Sequence, residues 1–308
     1  MQPERTVPTT PTSAARLRSG RAAVLGHPVA HSLSPVLHRA AYAALGLDDW
    51  RYDPVDVTED DLAGFVGALD ASWAGLSLTM PLKQTVLPLL DHVEPLAGVV
   101  GAVNTVLVQP ARGTPVLTGA NTDVYGLVTA LGEALALDAP APRRTAAVLG
   151  GGATAASTLA ALAQLGCTTP VVYVRSLARV GGLMRAAHRM GVEPRYALLD
   201  AAAREVPGAD VVVSTLPPRA ADGLATELDG SAVDGVLLDV AYDPRPTALS
   251  VAWQRAGGAV VGGERMLLHQ AVEQVRLMTG LAGPVAAMDE ALQAALGVPA
   301  HGAAPSKG

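Results

Sequence analysis

The segment from residue 146 to residue 174 constrains the fold most. An apolar tetrad, Ala146–Leu149, runs into three glycines, Gly150-Gly151-Gly152. Ala153-Thr154-Ala155 then opens a run of small and apolar residues that lasts to Leu165, and a second apolar tetrad, Val171–Val174, follows. Short apolar runs on either side of a helix-length stretch read as parallel strands joined by a crossover helix. The string Gly150 to Ala155 fits G-x-G-x-x-A at the strand-to-helix turn. There the first glycine permits the tight turn and the second lets backbone approach a pyrophosphate. The small third residue lets helix pack on strand. The stretch from Thr145 to Val174 carries no charge and is long enough to span a bilayer. The three glycines break it early, and Gly166 and Pro170 break it late, so strand, loop, helix, strand is the better reading.

The same alternation extends on both sides. Downstream, a helical stretch spans Leu177–Met190, and apolar runs at Asp210–Val213 and Val236–Val240 have helices between and after them, which predicts a doubly wound sheet. Upstream, strands are predicted at Ala22–Leu25, Trp50–Val55, Gly75–Leu78, Ala102–Val108 and Pro115–Thr118. Helices are predicted from Ser34 to about Gly46, over Asp60–Leu69 and Val124–Ala136, and after Pro81 and Pro95. Ser34 reads as an N-cap with Pro35 at the first helical position. Asp138–Arg143 reads as a linker, and the final helices begin at Gly262-Gly263 and at Pro284. Such a pattern predicts an α/β protein of two domains, the first discontinuous. Residues 21–122 and 263–298 would form one domain and 123–262 the other, with disordered tails at 1–20 and 299–308.

Charge and composition narrow the partners. Of 308 residues, 22 are basic and 28 acidic, for a formal charge of −6, and no basic stripe points to nucleic acid. The first twenty residues contain Glu4, three prolines and no apolar core, so they are not a secretory signal. A single cysteine, Cys167, rules out an internal disulfide and suits a cytoplasmic protein. Neither nucleic acid nor a membrane is therefore expected as a partner.

The end of the second tetrad bears on which dinucleotide would bind. An NAD site places Asp or Glu there for the ribose 2′-hydroxyl, whereas Val174-Arg175-Ser176-Leu177-Ala178-Arg179 has no acid and two arginines four apart. Forked, permanently charged donors suit a 2′-phosphate and hence NADP, unless both arginines are merely solvated.

Candidate reacting groups are few. The chain has twenty arginines but two lysines, Lys83 and Lys307. A lone body lysine after Ser77-Leu78-Thr79-Met80-Pro81-Leu82 suggests a place where guanidinium cannot serve, because an ammonium gives up a proton far more readily; a chance surface lysine is the plain alternative. Asp123 follows Asn121-Thr122, and all three suit either a helix N-terminus or a site. Asn104, inside an apolar run, must find hydrogen-bond partners. Ser32 and Ser34 put two hydroxyls just before a helix, where one of them could be its cap. His27, His31 and His38 lack metal-ligand spacing, so no metal is expected.

Taken together, GHPVAHSLSPVLH, LSLTMPLK, GAVNT, GANTD, VLGGGATAAS, LLDVAYDPRPT and GERMLLHQA resemble the shikimate dehydrogenase family, in the family's order over about residues 22–296. The resemblance implies a discontinuous N-terminal α/β substrate-binding domain plus a Rossmann-like doubly wound NADP-binding domain. It implies reversible reduction of 3-dehydroshikimate to shikimate with NADPH, in aromatic amino-acid synthesis. It places the catalytic pair on Lys83 and Asp123, and substrate contacts on Ser32, Ser34, Thr79, Asn104, Tyr242 and Gln270. The cofactor set is Gly150, Gly151, Gly152, Ala153, Arg175, Ser176 and Arg179, with Gly263 and Met266 from GERMLLHQA. The chain departs from the family pattern at Ser77, where asparagine is common, at Ala120, where aspartate is common, and at Ala153, Ala155 and Ala156 in the glycine loop. Two alternatives stay open: a quinate, aminoshikimate or aminoquinate dehydrogenase of the same family, with NAD as an option, and a non-catalytic nucleotide-sensing protein on this fold.

Overall fold

The computed structural model describes residues 20–135, 144–228 and 230–297. Most of both predicted tails and the predicted linker Asp138–Arg143 lie outside these residues. Gly20, assigned above to the first tail, is instead buried, and a Cβ there would lie 2.6 Å from the Trp50 ring.

Two six-stranded sheets carry the architecture. The first is built from β1 (Arg21–Gly26), β2 (Arg51–Asp56), β3 (Trp73–Leu78), β4 (His92–Val93), β5 (Thr105–Gln109) and β6 (Val116–Ala120), in the order β2-β1-β3-β5-β6-β4. Strand β1 runs parallel to β2 and β3, whereas β5 is antiparallel to both β3 and β6. Helices α1 (Ser34–Ala44), α2 (Glu59–Gly67), α3 (Leu82–Thr85) and α4 (Pro95–Val100) connect these strands. Pro54 sits in β2, an edge strand, where a missing amide hydrogen is tolerated.

The second sheet follows helix α5 (Asp123–Gly132). Its strands are β7 (Ala146–Leu149), β8 (Val171–Val174), β9 (Arg195–Leu198), β10 (Val211–Ser214), β11 (Val236–Asp239) and β12 (Ala259–Gly262), in the order β12-β11-β10-β7-β8-β9, all parallel. Helices α6 (Ala153–Gln164), α7 (Gly181–Met190), α8 (Ala202–Glu205), α9 (Asp222–Glu227) and α10 (Ala248–Arg255) flank it. One face is sealed by α5, α6 and α7 through Leu127, Leu159 and Leu183, the other by Leu224, Leu249 and Trp253. Burial on both faces explains why β7 and β8 are unbroken apolar runs, and why β10 and β11 are apolar up to a final Ser214 and Asp239. By contrast β4, β9 and β12 went unpredicted. Each is an edge strand with one neighbour, so its pattern is short or half-exposed.

Helix α11 (Gly263–Thr279) returns to the first sheet, and α12 (Val285–Ala295) closes the chain against α1 and α11. Helices α5 and α11 pack closely enough that a Cβ on Gly126 would lie 2.7 Å from the Met266 carbonyl oxygen. An ionic cluster ties the same helices together. Arg265 donates to both carboxylate oxygens of Glu133, at 2.8 and 2.6 Å, and to Asp289 at 2.7 Å, while His269 Nε2 lies 2.7 Å from Glu133. The Arg265 guanidinium holds the Glu133 carboxyl below its usual range.

The start of α1 differs from expectation. Ser34 is the first helical residue rather than the cap, and the cap position falls on Leu33, which has no side-chain bond to offer. Ser32 supplies the hydroxyl instead, accepting from the Ser34 amide at 3.3 Å. No helix among the described residues is long and apolar enough to cross a membrane.

Candidate active site

Strand order dictates where a ligand can sit. The chain winds from β7 outward through β8 to β9, then returns to start again at β10 on the other side of β7. A crevice therefore opens at the carboxyl ends of β7 and β10, as at any topological switch point. A groove of about 510 Å³ lies there, lined by Gly150 through Thr154, Arg175, Ser176, Arg179 and Thr215 through Pro217, with Thr79, Met80 and Lys83 on the opposite wall. Gly150 has φ +115°, and a Cβ on it would lie 2.4 Å from the Thr215 hydroxyl oxygen, so glycine is required. Gly152 meets nothing within 4 Å of where its Cβ would be, which leaves its backbone open to the groove at the head of α6. Free amides and the helix dipole make that end an anion site. Arg175 and Arg179 are exposed, and their side chains have no hydrogen bond or ion pair among the described residues. Groove, glycine cradle and two uncommitted guanidinium groups fit a dinucleotide with a 2′-phosphate.

A second cavity, about 200 Å³, adjoins the first. It is lined by Ser32, Ser34, Thr79, Asn104, Asp123, Tyr242 and Gln270 among others, so every residue expected to touch substrate faces it. Gly263 and Met266, assigned above to the cofactor, also face this smaller cavity and do not line the nucleotide groove. Thr79, Lys83 and Thr154 line both cavities.

Lys83 and Asp123 meet at that junction. The ammonium donates to Asp123 Oδ2 at 2.6 Å, with side chains only 13% and 4% exposed. Lys83 stands on α3, just past the carboxyl end of β3, and its carbonyl accepts from the Val103 amide at 2.8 Å. Asp123 is the first residue of α5, where the helix dipole favours a carboxylate. The other carboxylate oxygen accepts from the Asn104 amide group at 2.8 Å. The two readings of Asn121-Thr122-Asp123 turn out to be compatible. Asn121 Oδ1 caps the helix by accepting from the Val124 amide at 3.2 Å, which frees Asp123 to face Lys83. Asn121 Nδ2 donates to Ala102 oxygen at 2.9 Å and to Ser157 on α6 at 3.0 Å, and so ties the first sheet to the glycine-loop helix.

The far wall is a loop after β11. Burial raises the Asp239 carboxyl above its usual range; it accepts from Thr247 at 2.7 Å and from the Ala241 amide at 3.4 Å. Arg245 pairs with the buried Glu264 at 2.8 Å. These bonds fix the segment that carries Tyr242, whose phenol is pushed up by burial and lies against the Leu33 backbone beside Ser32 and Ser34.

Behind the cavity runs a buried polar chain absent from the expectations above. It includes Tyr52, Thr105 and Gln274. Gln274 left a signal, since it stands four residues after Gln270 on an otherwise apolar helix face. Tyr52 left none. His27 pairs with Asp56 at 2.6 Å and His38 lies in the core. Among the described residues no three His, Cys, Asp or Glu side chains are grouped to hold a metal ion.

A dinucleotide cradle joined through an ammonium–carboxylate pair to a small polar cavity defines an α/β nicotinamide-dependent oxidoreductase. Comparison with known proteins narrows the class. Residues 24–106 match the profile of the shikimate dehydrogenase substrate binding domain, and residues 263–293 match that of the shikimate 5′-dehydrogenase C-terminal domain. The NADP(+) shikimate dehydrogenase of Moorella thermoacetica is 37% identical over 299 residues, covering 94% of this chain and 98% of that one. The crystal structure of Mycobacterium tuberculosis shikimate dehydrogenase superposes with a TM-score of 0.79 at 41% identity, covering 89% of this chain and 99% of that one. Quinate dehydrogenase from Corynebacterium glutamicum in complex with NAD gives a TM-score of 0.79 at 30% identity, covering 90% and 99%. The chain belongs to the shikimate dehydrogenase family.

Proposed function

We propose that this protein reversibly reduces 3-dehydroshikimate to shikimate with NADPH, a step of aromatic amino-acid biosynthesis. One observation carries the reading: Lys83 lies where the nucleotide groove and the small polar cavity meet. Bound in the groove, NADPH supplies the hydride that the C3 carbonyl accepts. The Lys83 ammonium stabilises the oxyanion that develops and delivers its proton there. Asp123 orients that ammonium and accepts from the neighbouring substrate hydroxyl. Asn104, Thr79, Gln270 and Tyr242 bond the ring hydroxyls, and a polyol read this way is discriminated sharply, because a missing hydroxyl strands a buried partner. Ser32 and Ser34, at the amino end of α1, take the substrate carboxylate. Gly150 to Ala153 cradle the pyrophosphate, and Arg175, Ser176 and Arg179 hold the 2′-phosphate. Gly263 and Met266 close the small cavity on the side of α11.

We further infer a division into 21–122 with 263–298 and 123–262. The enzyme would act in the cytoplasm, as a monomer or homodimer, without nucleic-acid or membrane partners. The exposed arginine pair and the missing carboxylate after β8 favour NADP here, whereas the quinate dehydrogenase relative was crystallised with NAD.

The test is nicotinamide absorbance with shikimate or quinate, each with NADP or NAD. Fast turnover with shikimate and NADP is expected. A preference for quinate or NAD would move the protein to a sister activity, and no turnover with any pair would overturn the enzymatic reading.

A further inference from the structure

The carboxylate partner of Lys83 is the end of a buried hydrogen-bond chain that starts at Tyr52, on the edge strand β2 of the first sheet. Tyr52 donates to Ser77 Oγ at 2.7 Å, and Ser77 donates to Gln274 Oε1 at 2.9 Å. Gln274 Nε2 donates to Thr105 Oγ1 at 3.0 Å and to the Asn104 carbonyl oxygen at 3.3 Å. Thr105 donates to Asn104 Oδ1 at 3.0 Å, and Asn104 Nδ2 donates to Asp123 Oδ1 at 2.8 Å. Tyr52, Ser77, Thr105, Asn104 and Gln274 are all at most 4% exposed.

The direction of this chain is forced. A carboxylate only accepts, so Asn104 must turn its NH2 toward Asp123. Its oxygen then faces the Thr122 amide, which donates at 2.8 Å, and the Thr105 hydroxyl. Thr105 has one hydrogen and spends it on Asn104, so it can only accept from Gln274. Gln274 must therefore present its NH2 to Thr105 and its oxygen to Ser77. Ser77 spends its hydrogen there and accepts from the Tyr52 phenol. Turning either amide over would set donor against donor or acceptor against acceptor among buried side chains. Chains aligned this way also polarise one another.

We propose that Gln274, held in register by Ser77 and Tyr52, is a positioning residue for the reaction: it fixes the Asn104 amide and through it the Asp123 carboxylate that orients Lys83. Gln274 faces the small cavity, yet both of its amide hydrogens are committed within the protein, so it has no donor left for substrate. Tyr52 faces neither cavity. The effect belongs in kcat rather than in substrate affinity. The proposal rests on the shikimate dehydrogenase reading above.

The experiment compares full-length wild type, Gln274→Met, Tyr52→Phe and the double variant, with shikimate and NADP, each protein's folded fraction being checked by thermal melting. Gln274→Met is expected to lower kcat about tenfold, the effect of one well-placed bond, while KM for shikimate stays within about threefold. Tyr52→Phe is expected to lower kcat about threefold with the same KM pattern. The double variant should be no slower than Gln274→Met, because once the middle of the chain is gone its head is disconnected. Single variants with wild-type kcat, losses confined to KM, or effects that multiply in the double variant would each overturn the proposal. If Gln274→Met does not fold, Ser77→Ala with Tyr52→Phe makes the same cycle. An active wild type with unaffected variants sinks the proposal alone; an inactive wild type sinks the functional reading and the proposal with it.

Discussion

His38 makes the stability of this protein depend on pH in a way that one substitution should isolate. Its ring is wholly buried in α1 and stacks on Tyr52 with centroids 3.9 Å apart and planes 14° from parallel. Nδ1 lies 3.0 Å from the Ser34 carbonyl oxygen, which fixes the neutral tautomer with the proton on Nδ1, and buried Nε2 has no partner. Protonation would put an unsolvated charge among aromatic rings. Burial accordingly drives the pKa from the ordinary 6.5 to about 4, partly offset by the Ser34 bond. The folded value is depressed, so the stabilisation is fully present above pH 6.5 and is lost as pH falls through 4. At about 1.36 kcal/mol per pH unit, the whole shift amounts to about 3 kcal/mol. Urea unfolding of wild type and His38→Phe, repeated at several pH values between 7.5 and 4, reads this directly. Every other acid-titrating group is common to both proteins, so their difference in unfolding free energy isolates His38. Whatever its size at pH 7.5, that difference should move by about 3 kcal/mol in favour of the variant by pH 4. A difference that stays flat over this range would show that His38 is not a buried neutral ring, and the packing described for α1 would be wrong.

Other consequences can be checked as directly. Lys83→Ala should lower kcat by about 10² to 10⁴, with nucleotide affinity, measured by fluorescence titration, nearly unchanged. Replacing Arg175 and Arg179 together with alanine should raise KM for NADP about tenfold or more and leave KM for NAD nearly unchanged, since only the 2′-phosphate is lost as a partner; equal effects on both would remove these residues from cofactor choice. Gly126→Ala would push a Cβ to 2.7 Å from the Met266 carbonyl oxygen, so α5 and α11 must part. A loss of about 1 to 3 kcal/mol in urea unfolding is expected, and an unchanged midpoint would mean that the helices yield without cost.

How much was legible depended on whether a residue's environment is written locally. The central strands of the second sheet are buried on both faces, so Ala146–Leu149 and Val171–Val174 had the predicted limits to the residue. The edge strands β9 and β12 meet one neighbour each and were missed. Lys83 and Asn104 stood out because each breaks a local pattern, a lysine in an arginine-rich chain and an amide in an apolar run, whereas Asp123 read equally well as an ordinary helix start. Their union across 40 residues was not written in any local pattern and came from the resemblance of whole motifs. Ser34 was misplaced by one position because the first helical bond runs from the Leu37 amide to the Leu33 carbonyl, which makes Leu33 the cap. Tyr52 looked like an ordinary β-strand aromatic, and only the pairing of β1 with β2 and β3 brings its phenol to Ser77.

The chain crosses between its two sheets twice, once between β6 and α5 and once between β12 and α11. A rigid body tethered at two points can swing about the line through them and is stiff against other displacements. Both tethers end on walls of the small cavity, at Asp123 and at Gly263. Points near an axle travel least. Any swing that widens or narrows the nucleotide groove is therefore largest at its outer rim, around Arg175 and Arg179, and smallest at the carboxylate beside Lys83. A swing of that kind would open the groove for the nucleotide while leaving the Lys83–Asp123 pair nearly in place.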